Sequence, residues 1–269
     1  MNDRVSRVGR ALIGLVGIIV AAAVGWILFI RLPDTIAELV GVLLVILLAL
    51  LGARFAGRLA DTIFPGYNVG EVSVTGPITR SGRGPVPTGP VGVPADRIVE
   101  QIEAADQDGN VKALVLKLNT PGGEVVPSDD IRRAAAEFDG PTVAYATDLC
   151  ASGGYWIASG CDELWARDAS LVGSIGVRSA IVSAAELAEK VGIGYEGFSR
   201  GKYKDAGTPL KELSDEDRSY FQHLSDGFYE RFIETVADGF DLDEERVRAT
   251  EARVYLGEEA ADKIGRAHV

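Results

Sequence analysis

The hydrophobic pattern divides the chain into an apolar head and an alternating body. Residues 11–30 run ALIGLVGIIVAAAVGWILFI without a charge. At about 1.5 Å per residue, a helix of that length spans roughly 30 Å, the depth of a hydrocarbon core. A second apolar run covers 35–53, with Glu38 as its only charge. RLPD (31–34) lies between them, with Pro33 as the breaker. Trp26 and Phe29 sit near one end of the first run, where aromatic rings favour the interface. The reading is an N-terminal transmembrane helical hairpin, with helices at 11–30 and 35–53 in an anchor covering 1–58. A cleaved signal peptide is the alternative for the first run. Its apolar stretch, however, would ordinarily be roughly 7–15 residues, with no second run behind it.

Beyond a linker at 59–68 the periodicity changes. VGEVSVTGPI (69–78) alternates as a strand. Residues 79–94 are rich in Gly, Pro, Ser and Thr and read as a loop. Ile98, Val99 and Ile102 give 95–107 a helical face. VKALVLKLN (111–119) reads as a buried strand ended by TPGG, and SDDIRRAAAEF (128–138) as a helix capped by Ser128. PTVAYAT (141–147) is a strand, ASGGYWIASG (151–160) a short helix, DELWAR (162–167) a strand and AAELAEKV (184–191) a helix. YEGFSR (195–200) reads as extended. Residues 214–240 form a long helix with one stripe of Phe221, Leu224, Phe228, Phe232 and Val236. Ser214 and Asp217 supply a capping-box-like start. Strands alternating with helices predict an α/β fold around a mainly parallel sheet.

Charge sharpens the division. The chain of 269 residues carries a formal net charge of −12. Residues 1–58 hold six Arg, no Lys and three acids, so the anchor is slightly basic and the body strongly acidic. An acidic body argues against nucleic acid as a partner, since phosphate binding needs a basic face. It fits a surface kept hydrated at high salt. Arg4, Arg7 and Arg10 precede the first run and Arg54 and Arg58 follow the second. By the positive-inside rule both ends and the body then face the cytoplasm. Two Cys argue against a disulfide scaffold. Cys150 and Cys161 flank a predicted helix that would hold them about 15 Å apart, which suits two small buried residues. No metal-ligand cluster and no nucleotide-binding loop is present in the sequence, so no cofactor is expected.

Candidate chemistry gathers in three places. TPGG (120–123) fits a plain turn and equally a backbone that points amides at a ligand. In CASGGYWIAS (150–159), Ser152 stands where a strand turns into a helix. It reads either as an N-cap or as an exposed nucleophile at a helix start, with Gly153 and Gly154 leaving room for a carbonyl. A Ser nucleophile needs a base. The two His are poorly placed, His223 within the long helix and His268 at the extreme end, so a Ser-His-Asp triad has little support. A desolvated Lys can serve instead. Only seven Lys occur, and Lys202 and Lys204 come after the extended stretch, where both would point to one side.

Four motifs in order resemble the signal peptide peptidase A family of membrane serine proteases. They are LNTPGGEV (118–125), CASGGYWIA (150–158), LVGSIGV (171–177) and GKYKDAGTPLKELSDEDR (201–218). The resemblance covers roughly 69–262, in a short, single-domain, haloarchaeal-like form. It implies the Clp protease/crotonase-like fold and a Ser–Lys dyad. Carried onto this sequence, Ser152 is the nucleophile, Lys204 the general base and Ser174 the residue orienting that Lys. Amides of Gly122 or Gly123 and of Gly153 form the oxyanion hole. Lys202 remains the competing base on spacing alone. The implied activity is a serine endopeptidase acting on signal peptides or other apolar segments, beside a lipid bilayer, in a homo-oligomeric ring whose sites neighbours complete. A related protease cutting the apolar tail of a membrane partner, or a non-proteolytic crotonase-like protein, are the alternatives. Two departures stand out. The family ordinarily has one span and a body outside the cytoplasm. KIGRAHV (263–269) resembles translated adapter sequence, so an artefactual tail and a longer natural chain are expected.

Overall fold

A computed structural model of the chain describes residues 3–29, 37–63, 66–81, 92–264 and 267–268. It divides into two units, Met1–Asn68 and Val69–Val269.

The first unit consists of helices α1 (Asp3–Phe29) and α2 (Ala37–Ile63). They pack through small residues. A Cβ on Gly17 would lie 2.5 Å from that of Ala56, and one on Gly52 would lie 2.7 Å from that of Ala21. Such close backbone approach is the usual packing of apolar helices that lack a polar face. Leu15, Ile19, Leu43, Leu47 and Leu51 stay exposed. Leu43–Ala60 is long and apolar enough to cross a membrane, whereas the apolar stretch of α1, Ala11–Ile27, is shorter. The Leu43–Ala60 segment and helix α2 both extend past residue 53, the end of the second apolar run. Nothing in FAGRLADTI (55–63) breaks the helix, so α2 continues into the expected linker. The RLPD turn falls outside the described residues.

In the second unit the expected alternation becomes β1 (Val69–Thr75), β2 (Ile78–Thr79), β3 (Val93–Pro94), α3 (Ala95–Gln107), β4 (Ala113–Thr120), α4 (Val125–Ala136) and β5 (Thr142–Ala151). Then come α5 (Gly153–Ala158), β6 (Glu163–Ala166), β7 (Leu171–Gly173), α6 (Ala185–Lys190), α7 (Asp215–Phe240), α8 (Glu244–Arg248), β8 (Val254–Leu256), α9 (Gly257–Ile264) and β9 (Ala267–His268). The main sheet runs β1-β4-β5-β6-β9, with β7 between β5 and β8 off this path. Every pairing in it is parallel except β7 with β8. This is the α/β class that the alternation predicts. Leu114, Leu116 and Leu118 of β4 are fully buried, which is why that strand reads as a near-continuous apolar run.

Three local expectations change. The first strand splits at Gly76, whose φ of 91° turns the chain before β2. Helix α4 begins at Val125 with Glu124 as its N-cap, so Ser128 is inside the helix and buried. Pro127 fits there because the first turn has no amide to lose. The apolar stripe of α7 divides along its length. Phe232 and Val236 are buried, but Leu224 and Phe228 are exposed. The capping box of Ser214 and Asp217 is present, with both reciprocal bonds made.

One irregularity shapes the centre of the sheet. β4 and β5 pair in register from Leu114–Thr142 to Leu118–Ala146, and then the register shifts so that Thr120 faces Cys150. β5 also changes its other neighbour, from β6 along 143–146 to β7 along 149–151. A bulge of this kind bends a strand and re-aims the residues after it. Here it brings the end of β5 beside the turn after β4.

Candidate active site

Ser152 stands between β5 and α5 with φ of 53° and ψ of −119°. A non-Gly residue at positive φ costs free energy, and the surroundings must hold it there. Three contacts do so. The Ser152 amide donates to Gly173 O at 2.9 Å. The Trp156 amide donates to Ser152 O at 2.9 Å. All of α5 from Gly153 to Ala158 is buried. Tyr155 donates to Ile264 O at 2.9 Å, and Trp156 packs on Phe232 with ring centroids 4.7 Å apart. The serine is therefore the N-cap of a clamped helix, half-buried at the mouth of a cleft. A sharp strand-to-helix turn of this kind is how an exposed serine nucleophile is commonly presented.

The PGG turn packs directly on it. A Cβ on Gly122 would lie 2.9 Å from Ser152 Cβ and would overlap the Gly153 amide. Gly122 also has φ of 87°. A Cβ on Gly153 would overlap Ser128 Oγ and lie 3.2 Å from the Gly123 nitrogen. Only glycine fits at these positions, and the amides of Gly123 and Gly153 are thereby brought close together. Among the described residues, neither amide donates to a backbone acceptor. Thr120 fixes the turn from beneath: its hydroxyl donates to Gly76 O at 2.7 Å and accepts the Gly122 amide at 3.0 Å. From the side, Ile78 donates to Gly122 O and accepts the Glu124 amide, each at 2.9 Å.

Ser174 enters from β7. It too has positive φ, 54°, and its amide donates to Arg253 O at 2.9 Å. Because Gly173 accepts the Ser152 amide, the two serines stand next to each other at the ends of adjacent strands. Gly122, Gly123, Ser152, Gly153 and Ser174 all line one cleft of about 790 Å³. Its apolar wall includes Trp156, Tyr229 and Phe232, and Arg178, Asp226 and Glu251 bring charge to it.

Lys204 does not line this cleft. YEGFSR (195–200) forms no strand, and 202–207 is a run of turns, so the extended geometry that would align Lys202 with Lys204 is absent. Gly201, with φ of 98°, begins that run. Lys202 pairs with Glu216 at 3.8 Å, and Tyr203 stacks on Tyr220 at 4.7 Å. Lys211 bridges Asp205 at 3.2 Å and Asp217 at 3.5 Å. Lys204 is exposed among these committed neighbours, and no ion pair holds it among the described residues. His223 of α7 lies beside Tyr203 and is also outside the cleft lining, although its neighbour Gln222 is part of it. Both thiols are free and buried. Burial pushes the Cys161 thiol up to about 12 and raises Cys150 further, so neither is a ready thiolate.

The contacts of several site residues carried no sequence signal. Thr120, Ile78 and Ser128 act through partners far along the chain. Asp129 on α4 accepts the Trp156 indole at 3.0 Å and pairs with Arg132 at 3.0 Å and Arg133 at 2.7 Å. Burial raises its carboxyl, but the bonds from Arg132, Trp156 and Arg133 outweigh that and hold it below the usual range. The Asp-x-x-Arg-Arg spacing within one helix hints at the ion pairs but not at the tryptophan.

A strained serine at a strand-to-helix turn on a mainly parallel α/β body is an arrangement that α/β hydrolytic enzymes also use. Residues 135–264 match the family model described as peptidase family S49. This bears out the resemblance read from the four motifs. Among similar proteins is Protease 4 of Salmonella typhi, 35% identical over 175 residues, covering 64% of this chain and 28% of that protein. The chloroplastic serine protease SPPA of Arabidopsis thaliana is 30% identical over 183 residues, covering 66% and 27%. A Methanocaldococcus jannaschii protein named "Putative protease MJ0651" is 33% identical over 170 residues, covering 62% and 54%. The chain thus spans about half the length, or less, of the curated relatives it matches.

Proposed function

We propose that this protein is a membrane-anchored serine endopeptidase with a Clp protease/crotonase-like body, and that Ser152 is its nucleophile. The observation that carries the reading is the strained Ser152 packed against the Gly122–Gly123 turn, beside two amides that have no backbone acceptor among the described residues. A substrate carbonyl placed over Ser152 would direct its developing negative charge at the Gly123 and Gly153 N–H groups. Lys204, as the neutral amine, takes the Ser152 proton while Oγ attacks the carbonyl. Ser174 orients that amine. The tetrahedral adduct collapses to an acyl-enzyme, and the proton passes to the leaving amine. Water then hydrolyses the ester with the same amine as base.

Because Lys204 is exposed away from the cleft lining, this scheme requires the 201–210 segment to reach a Ser152 cleft on assembly. A homo-oligomeric ring, in which a neighbouring copy completes each site, satisfies that requirement. The apolar wall of Trp156, Tyr229 and Phe232 suits apolar peptide segments, with signal peptides as the proposed substrates. The apolar helices α1 and α2 suit a lipid bilayer as the setting. Turnover of a panel of apolar peptides by wild type and Ser152→Ala tests the reading. Loss of cleavage and of fluorophosphonate labelling in the variant is expected. Undiminished cleavage by Ser152→Ala would overturn it, and absence of any labelling in wild type would favour a non-proteolytic crotonase-like role.

A further inference from the structure

The Gly123 amide is aimed by its neighbours on both sides, and both are held by one strand. Ile78 of β2 bonds Gly122 O on one side and the Glu124 amide on the other, as in a parallel bridge. Among the described residues Gly123 is thus left with no backbone acceptor for its own N–H, and it has no space for a Cβ against Ile78. Strand β2 has only two residues and pairs otherwise with the equally short β3. Two-residue strands do not hold position by their ladder alone.

Arg80 comes directly after β2. Its amide donates to Glu124 Oε2 at 3.0 Å. Its guanidinium reaches Asp96 at the start of α3 at 2.6 Å and Asp130 in α4 at 2.7 Å. A planar guanidinium with fixed donor directions is suited to bridging two carboxylates on different elements. Both carboxylates in turn favour the charged guanidinium. One residue therefore ties β2 to both helices that flank the PGG turn and to the turn itself.

We propose that Arg80 is a positioning residue for the Gly123 oxyanion donor, locking β2 so that the Gly123 amide points into the Ser152 cleft. This rests on the reading of Gly123 as such a donor. The side chains of Arg80, Asp96 and Asp130 are 44%, 59% and 38% exposed. Ion pairs of that exposure add little to global stability. Geometry in the turn is more sensitive, since small misplacements of a catalytic group have large rate effects.

The test compares the full chain as wild type, Arg80→Met and Arg80→Lys on a cleaved apolar peptide and on a matching peptide boronate. The boronate forms a tetrahedral adduct at Ser152 and probes the oxyanion donors. For Arg80→Met, kcat should fall by about 10- to 100-fold with KM within about two-fold, and boronate affinity should fall in step with kcat. Thermal unfolding should move little. Arg80→Lys, able to pair one carboxylate, should recover part of both losses. Unchanged kcat and boronate affinity in Arg80→Met would overturn the proposal. So would a loss confined to KM, or one that merely tracks a large fall in melting temperature. If wild type itself fails to bind the boronate at Ser152, the oxyanion reading falls and the role of Arg80 falls with it.

Discussion

Two stretches of the same unit carry the proposed chemistry in opposite ways. Around Ser152 the chain is over-determined: a β-bulge, two residues at positive φ, three glycines without room for a Cβ, and a buried helix fix each atom. Around Lys204 it is not. Every residue from 191 to 200 is exposed, and Phe198 is 95% exposed. Contacts of Lys202 and Tyr203, and of Asp205 through Lys211, dock the next turns on α7. The proposed nucleophile and its proposed amide donors are thus placed by contacts within one chain. The stretch before Lys204, the proposed base, keeps apolar side chains such as Val191, Ile193 and Phe198 exposed.

The sharpest way to break this contrast is at the serine. Ser152→Ala should lower turnover at least about 10³-fold and abolish fluorophosphonate labelling, with unfolding nearly unchanged. Next is the base. Lys204→Ala should remove turnover while Lys202→Ala keeps most of it, measured on one apolar peptide; the reverse result would reassign the base. Gly153→Ala should cut kcat about 10²-fold or more. It should also lower the melting temperature, because Ser128 occupies the space of the new methyl. A smaller effect is expected at Asp129. Its folded carboxyl lies below the ordinary range. The stabilisation is therefore complete above about pH 4 and lost as pH falls through the folded value. Asp129→Asn should cost about 1–3 kcal/mol near neutrality and flatten the acid limb of a stability–pH profile. At the far end, Phe198→Ser should change single-chain stability by less than about 0.5 kcal/mol. It should weaken any self-association seen by sedimentation if that stretch is covered on assembly.

The sequence alone determined the class of fold, and its resemblance to a known family singled out Ser152 as the candidate nucleophile. Period-2 and period-3.6 patterning is local, so β4, α3 and α7 and the Ser214 capping box were legible residue by residue. The motifs around Gly122, Ser152 and Ser174 were legible through their order along the chain and the family they resemble, since each alone also fits a turn or a helix cap. Tertiary structure alone decided what holds them. The β4–β5 register shift, the overlap of a Gly153 side chain with Ser128, and the Arg80 bridge to Asp96 and Asp130 join residues 16 to 50 positions apart. No periodicity records such contacts. It also decided against aligning Lys202 with Lys204. An extended reading assumes neighbouring strands to pair with, and 195–207 has none, so Gly201 and the turns after it set the direction instead.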